Sequence, residues 1–429
     1  MRVLVLGSGG REHALAWVLA KSPIASDVIC APGSDGIARD VRTRPLDLGD
    51  FEATIDVARA ERVDLVVVGP EAPLAQGVVD RVEAAGIPVV GPRRAAAQLE
   101  GSKTFAKDFM ARHGIPTADY RVFENPDDAE RYAVKRGGPI VVKADGLAAG
   151  KGVTVCDGPE QACRAIHEAM RERRFGAAGE RVILEDRLVG EEASYYVVSD
   201  GERFCVLAPA QDHKRALDGD GGENTGGMGA YSPAPIVDPD VERQVLERVV
   251  SPTLEGMRDE GAPYRGVLYL GLMIVDGSPF VIEYNVRLGD PETQPILLRL
   301  ESDLLPVFAA AAEGRLDAGI QKELRFGDPA VCVVLASGGY PRDYPTGIPI
   351  EGLEAVDSLP DVKVFHAGTR LEQGVWKTKG GRVLGVTARG PTIEASRKRA
   401  YEAVSHIGFR GMHYRTDIAA RAVALSEQL

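Results

Sequence analysis

Three residues of the segment PFVIEYNVRLGDPE alternate along the chain in a way that could hold a metal and a phosphate. Glu283, Asn285 and Arg287 stand at i, i+2 and i+4, so in a strand they project from one face while Tyr284 and Val286 point to the other. A carboxylate beside an amide oxygen suits Mg2+, a hard cation that leaves its remaining positions to water and substrate phosphates. The Arg287 guanidinium could clamp a transferring phosphoryl group. Gly289, Asp290, Pro291 and Glu292 then turn further carboxylates towards the same region. The stretch VVKADGLAAGKGVTV, from Val141 to Val155, offers a matching anion site. Its glycines Gly146, Gly150 and Gly152 let backbone amides approach phosphate closely, and Lys151 adds a point charge. It is not a Walker loop: three residues separate Gly146 from Gly150 where that pattern needs four, Gly152 replaces the Ser/Thr, and a strand follows. A glycine-rich hairpin of this kind lies over its ligand as a lid; a solvated glycine-rich hairpin is the alternative.

The elements that must position these groups follow from periodicity. Residues 1–102 alternate strand and helix, with strands at Val3–Leu6, Val28–Cys30, Leu65–Val68 and Pro88–Val90 and helices from Glu12 and Pro73. Such alternation implies a parallel sheet with helices on both faces. The first turn, GSGGREHA, departs from the dinucleotide fingerprint. Glu12 takes the place of its third glycine, and the second strand runs into Ala31, Pro32 and Gly33 where an acidic ribose ligand belongs. What remains is a helix N-terminus with Arg11 beside it, suited to a phosphate group. Gly69, Pro70 and Glu71 end the third strand at the carboxyl edge, where open sheets bind ligands; a plain turn with an exposed Glu is the equal alternative.

Leu99 to Lys103 mark a boundary, with Ser102 as N-cap of a new helix whose apolar stripe is Phe105, Phe109 and Met110. Beyond the lid hairpin, a helix carries Ala162, Ile166, Ala169 and Met170 at core spacing. The strand Val182–Leu184 then ends at Glu185 and Asp186, ahead of Leu188 and the acidic pair Glu191 and Glu192. That hinge could hold adenine and ribose, or be an acidic solvated turn. Residues 211–232, QDHKRALDGDGGENTGGMGAYS, are rich in glycine and lack apolar periodicity, which predicts a long structured loop of functional kind. A helix from Asp238 to about Glu260 and strands at Val267–Val275 and Phe280–Arg287 complete this part.

Composition bounds the rest. With 429 residues, 44% hydrophobic and 27% charged, the chain has the make-up of a globular protein of several domains and has no apolar run of membrane-spanning length. A net charge of -12 argues against a general nucleic-acid surface. The N-terminus enters a strand without a signal-peptide pattern, which places the chain in the cytoplasm. Cys30, Cys156, Cys163, Cys205 and Cys332 have no paired close spacing and read as buried thiols. His13, His113, His167, His366, His406 and His413 lack metal-ligand spacing and read as structural.

The segments GSGGREHAL, GPEAPLAQG, EGSKTFAK, VVKADGLAAGKGV, the DHKR to GGMGAYSP loop and EYNVRLGDPETQ occur in an order that resembles the phosphoribosylamine-glycine ligase (glycinamide ribonucleotide synthetase) family. The resemblance extends through ASGGYP, HAGT and GGRVLGVTA near the C-terminus. It implies a multidomain α/β and α+β protein with the ATP-grasp fold. The expected units are an N-terminal doubly wound substrate-binding domain over 1–102, an ATP-grasp domain over 103–328 with a mobile lid at about 118–190, and a C-terminal cap over 329–429. The implied reaction is ATP-dependent ligation of glycine to 5-phosphoribosylamine, giving glycinamide ribonucleotide, ADP and phosphate through glycyl phosphate in purine synthesis. Mg2+ or Mn2+ would assist a cytoplasmic monomer that acts on small molecules, with no nucleic-acid or membrane partner.

Carried onto matching positions, the resemblance assigns Lys103 and Lys143 to the nucleotide phosphates, with Asp145, Gly146, Gly150 and Lys151 closing over them. Glu185 and Leu188 would hold adenine, Glu192 ribose, and Glu283 with Asn285 the metal. The catalytic set would be Arg287, Lys143, Asp212 and Asp290. Gly9, Gly10, Arg11, Glu12, Glu71, His213, Lys214, Asn224, Thr225, Gly226, Gly227, Met228 and Glu292 would wall the glycine and phosphoribosylamine sites. Some positions depart from the family. Glu223 stands where Pro is usual, Tyr284 and Leu288 replace phenylalanines, and Leu270 to Leu272 lack the further metal carboxylate common in ATP-grasp enzymes, so one protein-anchored metal position is expected. The rival readings are a ligase joining another carboxylate and amine, a non-catalytic nucleotide-binding module and a dehydrogenase. Intact Glu283, Asn285 and Arg287 speak against the second, and the broken fingerprint against the third.

Overall fold

Strands Arg2–Gly7, Asp27–Pro32, Arg42–Thr43, Leu65–Val68 and Val89–Val90 form a parallel sheet in the order third, second, first, fourth, fifth. The apolar runs of the first and fourth strands are buried along nearly their whole length, as a sheet covered on both faces requires. Helix Gly10–Leu19 begins at the carboxyl end of the first strand, and Phe51–Ala60 starts at Asp50, whose carboxylate accepts from Ala53 N. The computed structural model describes residues 1–148 and 151–426; Gly150, assigned above to the nucleotide loop, lies outside the described residues.

The lid hairpin forms as expected, with Ile140–Ala144 antiparallel to Val153–Cys156. These strands sit in a four-stranded sheet ordered Tyr120–Phe123, Val182–Asp186, Ile140–Ala144, Val153–Cys156. Helices Pro126–Arg136 and Pro159–Ile166 cover it, and Ala129, Ala133, Ile140, Val142, Ile166, Val182 and Leu184 make a small core of their own. A second sheet runs Phe204–Val206, Glu191–Asp200, Arg265–Val275, Ser278–Asn285, all antiparallel. Its last strand stops at Asn285, two residues short of the expected end, and its register shifts between Val281 and Glu283. Gly271 lies opposite Glu283; a Cβ there would come within 2.7 Å of the Glu283 Cγ, so this glycine makes room for the carboxylate.

Residues 211–232 are more regular than a loop. Gln211–Asp212 and Gly229–Ser232 are strands of a five-stranded sheet that continues through Ala330–Ala336, Arg382–Arg389 and Val362–His366. Between them, Arg215–Leu217 pairs with Gly221–Asn224. Strands two to four residues long, joined by backbone bonds among polar side chains, carry no hydrophobic alternation for a sequence reading to find. Helix Ile393–Ser405, capped by the Thr392 hydroxyl, packs on this sheet. All five cysteines are free, and all but half-buried Cys163 are buried. Among the described residues no helix is long and apolar enough to cross a membrane.

Two buried histidines make the fold sensitive to acid. His213 accepts a hydrogen bond from Ala419 N through Nε2, and His366 meets Thr369 Oγ1 through Nδ1. Burial, aided by nearby arginines for His213 and by His13 for His366, pushes both imidazoles down to about 3. In the unfolded chain they titrate near 6.5, so the stabilising difference is complete above that pH and is lost as pH falls from 6.5 towards 3. Between pH 7.5 and 5.5 the unfolding free energy is expected to drop by about 1.4 kcal/mol per histidine. Denaturant titrations at the two pH values check this: His366→Asn should show a shallower drop, and an equal slope in both proteins counts against the assignment.

Candidate active site

The lid sheet, the antiparallel sheet and the carboxyl edge of the parallel sheet meet around a cluster of charges. Lys143, on the first strand of the lid hairpin, donates to Ile282 O at 2.8 Å and pairs with Glu185. Lys107 pairs with the other Glu185 oxygen at 2.5 Å. Burial opposes ionisation of Glu185, but the two lysines outweigh it and keep the carboxyl below its usual range. Burial also pushes the Lys107 ammonium down to about 8. Lys103 donates to Gly146 O at 3.1 Å, so the lysine and the lid backbone meet. Asp145 accepts from Ser102 Oγ and Thr104 N, each at 3.0 Å, and its other oxygen lies 2.7 Å from Arg181. Lys151 reaches Pro341 O at 3.1 Å, and Leu188 is half-buried on the hinge after the strand ending at Asp186.

Glu283 stands amid cations. Lys214 lies 3.5 Å from it and 2.8 Å from Glu192. Withdrawal from water opposes ionisation, yet Lys214, Lys103, Lys143 and Arg287 hold the Glu283 carboxyl at about 2. Its side chain remains 32% accessible, and the buried Asn285 side-chain amide makes no hydrogen bond with another described residue. An ionised, reachable carboxylate with a spare amide oxygen fits a hard divalent cation. Among the described residues no group of three or more His, Cys, Asp or Glu could hold a metal, so other ligands would come from substrate and water.

Arg287 departs from the expected arrangement. It lies beyond the strand end, yet near enough to Glu283 to help keep that carboxylate ionised. Its guanidinium turns to the N-terminal part of the chain, 3.2 Å from Glu71 and 3.0 Å from Glu100, and donates to Leu288 O. The first helix turn is partly engaged within the protein. Glu12 accepts from Gly9 N at 2.7 Å and from Arg11 Nε at 2.6 Å, which takes one amide of the turn and one N–H of its cation. Asp290 faces the same turn, within 4 Å of where a Cβ on Gly9 or Gly10 would lie, and a carboxylate there repels an anion.

Asp290 itself is held by Arg382 at 3.1 Å and by Gln294 at 2.8 Å. Arg382 also donates to the carbonyls of Asp290 and Gly226, both at 2.5 Å. The chain around Gly226 is built to fit this grip. Thr225 Oγ1 donates to Lys214 O and accepts from Gly227 N, while Met228 is fully buried. Gly227 has φ +109, and a Cβ there would lie 2.4 Å from Pro291 Cδ. Asn224 extends to Val153 O of the lid at 3.4 Å. Glu223, the unusual residue of this stretch, turns outward to Arg342 at 2.7 Å and stays 44% exposed, so its charge is met at the surface. Glu292 is buried and accepts from Ser194 Oγ. Asp212 is buried nearby; burial pushes its carboxyl up to about 7, Lys214 counters, and Glu292, Glu192 and Glu283 add to the rise.

The structure thus brings Lys103, Lys143, Lys214, Glu283, Asn285, Arg287, Asp212, Asp290 and Glu292 into one region. Sequence reasoning missed Glu100, Lys107 and Arg382. The segments EGSKTFAK and GGRVLGVTA contain all three, but nothing in local spacing marks a residue whose partner lies far away in sequence.

Sequence profiles of three phosphoribosylglycinamide synthetase domains match the chain: the N domain over residues 1–100, the ATP-grasp (A) domain over 101–293 and the C domain over 330–421. A phosphoribosylamine–glycine ligase of Escherichia coli O157:H7 is 52% identical over 430 residues, covering 99% of both chains. The crystal structure of a phosphoribosylamine–glycine ligase from Thermotoga maritima superposes with a TM-score of 0.85 at 36% identity, covering 98% of this chain and 100% of that one. A biotin carboxylase from Campylobacter jejuni shares the fold alone, with a TM-score of 0.73 at 14% identity over 96% of this chain and 92% of that one. Matches that run through all three domains at this identity leave one conclusion: the chain belongs to the phosphoribosylglycinamide synthetase family.

Proposed function

We propose that the chain ligates glycine to 5-phosphoribosylamine with ATP, giving glycinamide ribonucleotide, ADP and phosphate, the corresponding step of purine biosynthesis. The observation that carries the residue-level reading is the meeting of Lys103, Lys143 and Lys214 around the accessible carboxylate of Glu283. Three cations on one carboxylate make a place for the phosphates of a nucleotide. The glycine carboxylate attacks the γ-phosphorus, the bond to the β-phosphate oxygen breaks, and ADP leaves. The amine of phosphoribosylamine then adds to the carbonyl of glycyl phosphate, loses a proton, and inorganic phosphate departs.

In this mechanism Lys103 and Lys143 exchange their protein partners Gly146 O and Ile282 O for phosphate oxygens, and the unit at about residues 118–190 closes to exclude water. Glu283 and Asn285 would hold Mg2+ or Mn2+, which when bound neutralises charge on the phosphates. Arg287 meets the transferring phosphoryl group with N–H groups left over from its carboxylate pairs. Asp212 and Glu292 lie where an amine would be received, and His213 stays a neutral structural residue. Adenine lies against the hinge from Glu185 to Leu188. Since both Glu185 oxygens face lysines, the hinge backbone makes that contact. The enzyme is read as a monomer of the cytoplasm.

The test is ADP release from ATP and Mg2+ with glycine and freshly formed phosphoribosylamine, added separately and together. Release only with both is the expected result. Release with another acid in place of glycine would move the substrate claim, and no release under any condition would leave a nucleotide-binding module.

A further inference from the structure

Glu100 is buried and adjoins the site at Arg287. It sits in the short helix Gln98–Gly101, directly before the segment that holds the base of the lid. One of its oxygens accepts from Val286 N at 2.7 Å, and the other lies 3.0 Å from the Arg287 guanidinium. Arg287 also meets Glu71 at 3.2 Å, and Arg11 lies 3.8 Å beyond, itself paired with Glu12. Five charges therefore alternate in sign from Glu12 through Arg11, Glu71 and Arg287 to Glu100.

Glu71 is 30% exposed and Glu100 only 8%. The fixed end of the chain of charges is Glu100. Its double grip, on the backbone before Arg287 and on the guanidinium itself, determines which way the remaining N–H groups point. Two to four residues on, Ser102 Oγ and Thr104 N hold Asp145 of the lid, and Lys103 holds Gly146 O. The same stretch of backbone thus bears on the lid and on the arginine.

We propose that Glu100 is a positioning residue of the ligase reaction, which acts by fixing the Arg287 guanidinium towards the transferring phosphoryl group. This rests on the reading of Arg287 given above. Glu100→Gln keeps the shape and the acceptor for Val286 N but removes the charge that orients the guanidinium. With the full-length enzyme, kcat should fall at least tenfold while KM for ATP and glycine stay within twofold. In an Arg287→Met background the same change should alter kcat by less than twofold, because the residue it acts through is gone.

Equal losses in both backgrounds, or an unchanged kcat in the single variant, overturn the proposal. If Arg287→Met alone turns over normally, the reading of Arg287 fails and the proposal fails with it. A slow Arg287→Met enzyme with an unaffected Glu100→Gln enzyme sinks only the role of Glu100. Should Glu100→Gln not fold, Glu100→Asp carries the test. It keeps the charge but withdraws the carboxylate by one methylene, so a fivefold loss of kcat that vanishes in the Arg287→Met background supports the role, and any other pattern excludes it.

Discussion

Replacing Glu283 by alanine should lower kcat by about a hundredfold or more while the folded protein persists. The carboxylate faces the lysines, is 32% accessible, and makes no bond that the antiparallel sheet depends on. Its removal leaves Lys214 paired with Glu192 at 2.8 Å, Lys143 paired with Glu185, and Lys103 bonded to Gly146 O. What is lost is the ionised oxygen that would hold a divalent ion, together with the balance of charge among the lysines. Steady-state ADP formation at saturating ATP, with circular dichroism of the same samples, makes the measurement. Glu283→Gln should be impaired almost as much, since it restores the volume beside Gly271 without the charge. Near-normal turnover of either variant would sink the metal assignment.

The second large effect is expected at Arg382. This guanidinium joins the carboxylate and carbonyl of Asp290 to the carbonyl of Gly226, three groups from two distant segments. Each side chain of the pair is about a fifth exposed, and burial favours the neutral form of Asp290 while Arg382 and Arg11 keep its carboxyl below the usual range. Arg382→Met leaves Asp290 without its main counter-charge and two carbonyls without a donor. The unfolding free energy should fall by about 3 kcal/mol, the low end for breaking a buried pair. KM for phosphoribosylamine should rise about tenfold as Gly226 loses its anchor, a change of about 1.4 kcal/mol. Denaturant unfolding of Arg382→Met, Asp290→Asn and the double variant checks the physical cause. Paired charges require the double variant to lose less than the two singles combined; strict additivity would refute the pairing.

Much of this architecture is legible in the chain because burial writes it there. The runs Arg2–Gly7 and Leu65–Val68 are apolar on both faces, so they belong in a covered parallel sheet, and the glycines after Lys143 belong between two strands. Glu283 and Asn285 were legible because strand periodicity is local. Arg287 followed the same rule only on paper: the strand ends at Asn285, and the arginine takes its direction from Glu71 and Glu100, some two hundred residues earlier. Arg382 and Glu100 escape for the same reason. Their roles lie in ion pairs that close long loops, and no period or motif spacing records such a partner. At the helix turn, Glu12 engages the Gly9 amide and Arg11 Nε, a contact between neighbours that no motif spacing records.

The five-stranded sheet has a consequence for how the chain can be divided. Tyr231 pairs with Val331 and Ser232 with Ala330, so the strand before the long helical segment is sealed by one that follows some hundred residues later. A fragment ending near residue 328 would lose the only strand holding Gly229–Ser232 on that side and expose an unpaired edge open to other chains. The last quarter of the polypeptide is therefore no detachable appendage. Gene fission, circular permutation or complementation of split halves has to keep both sides of that seam together.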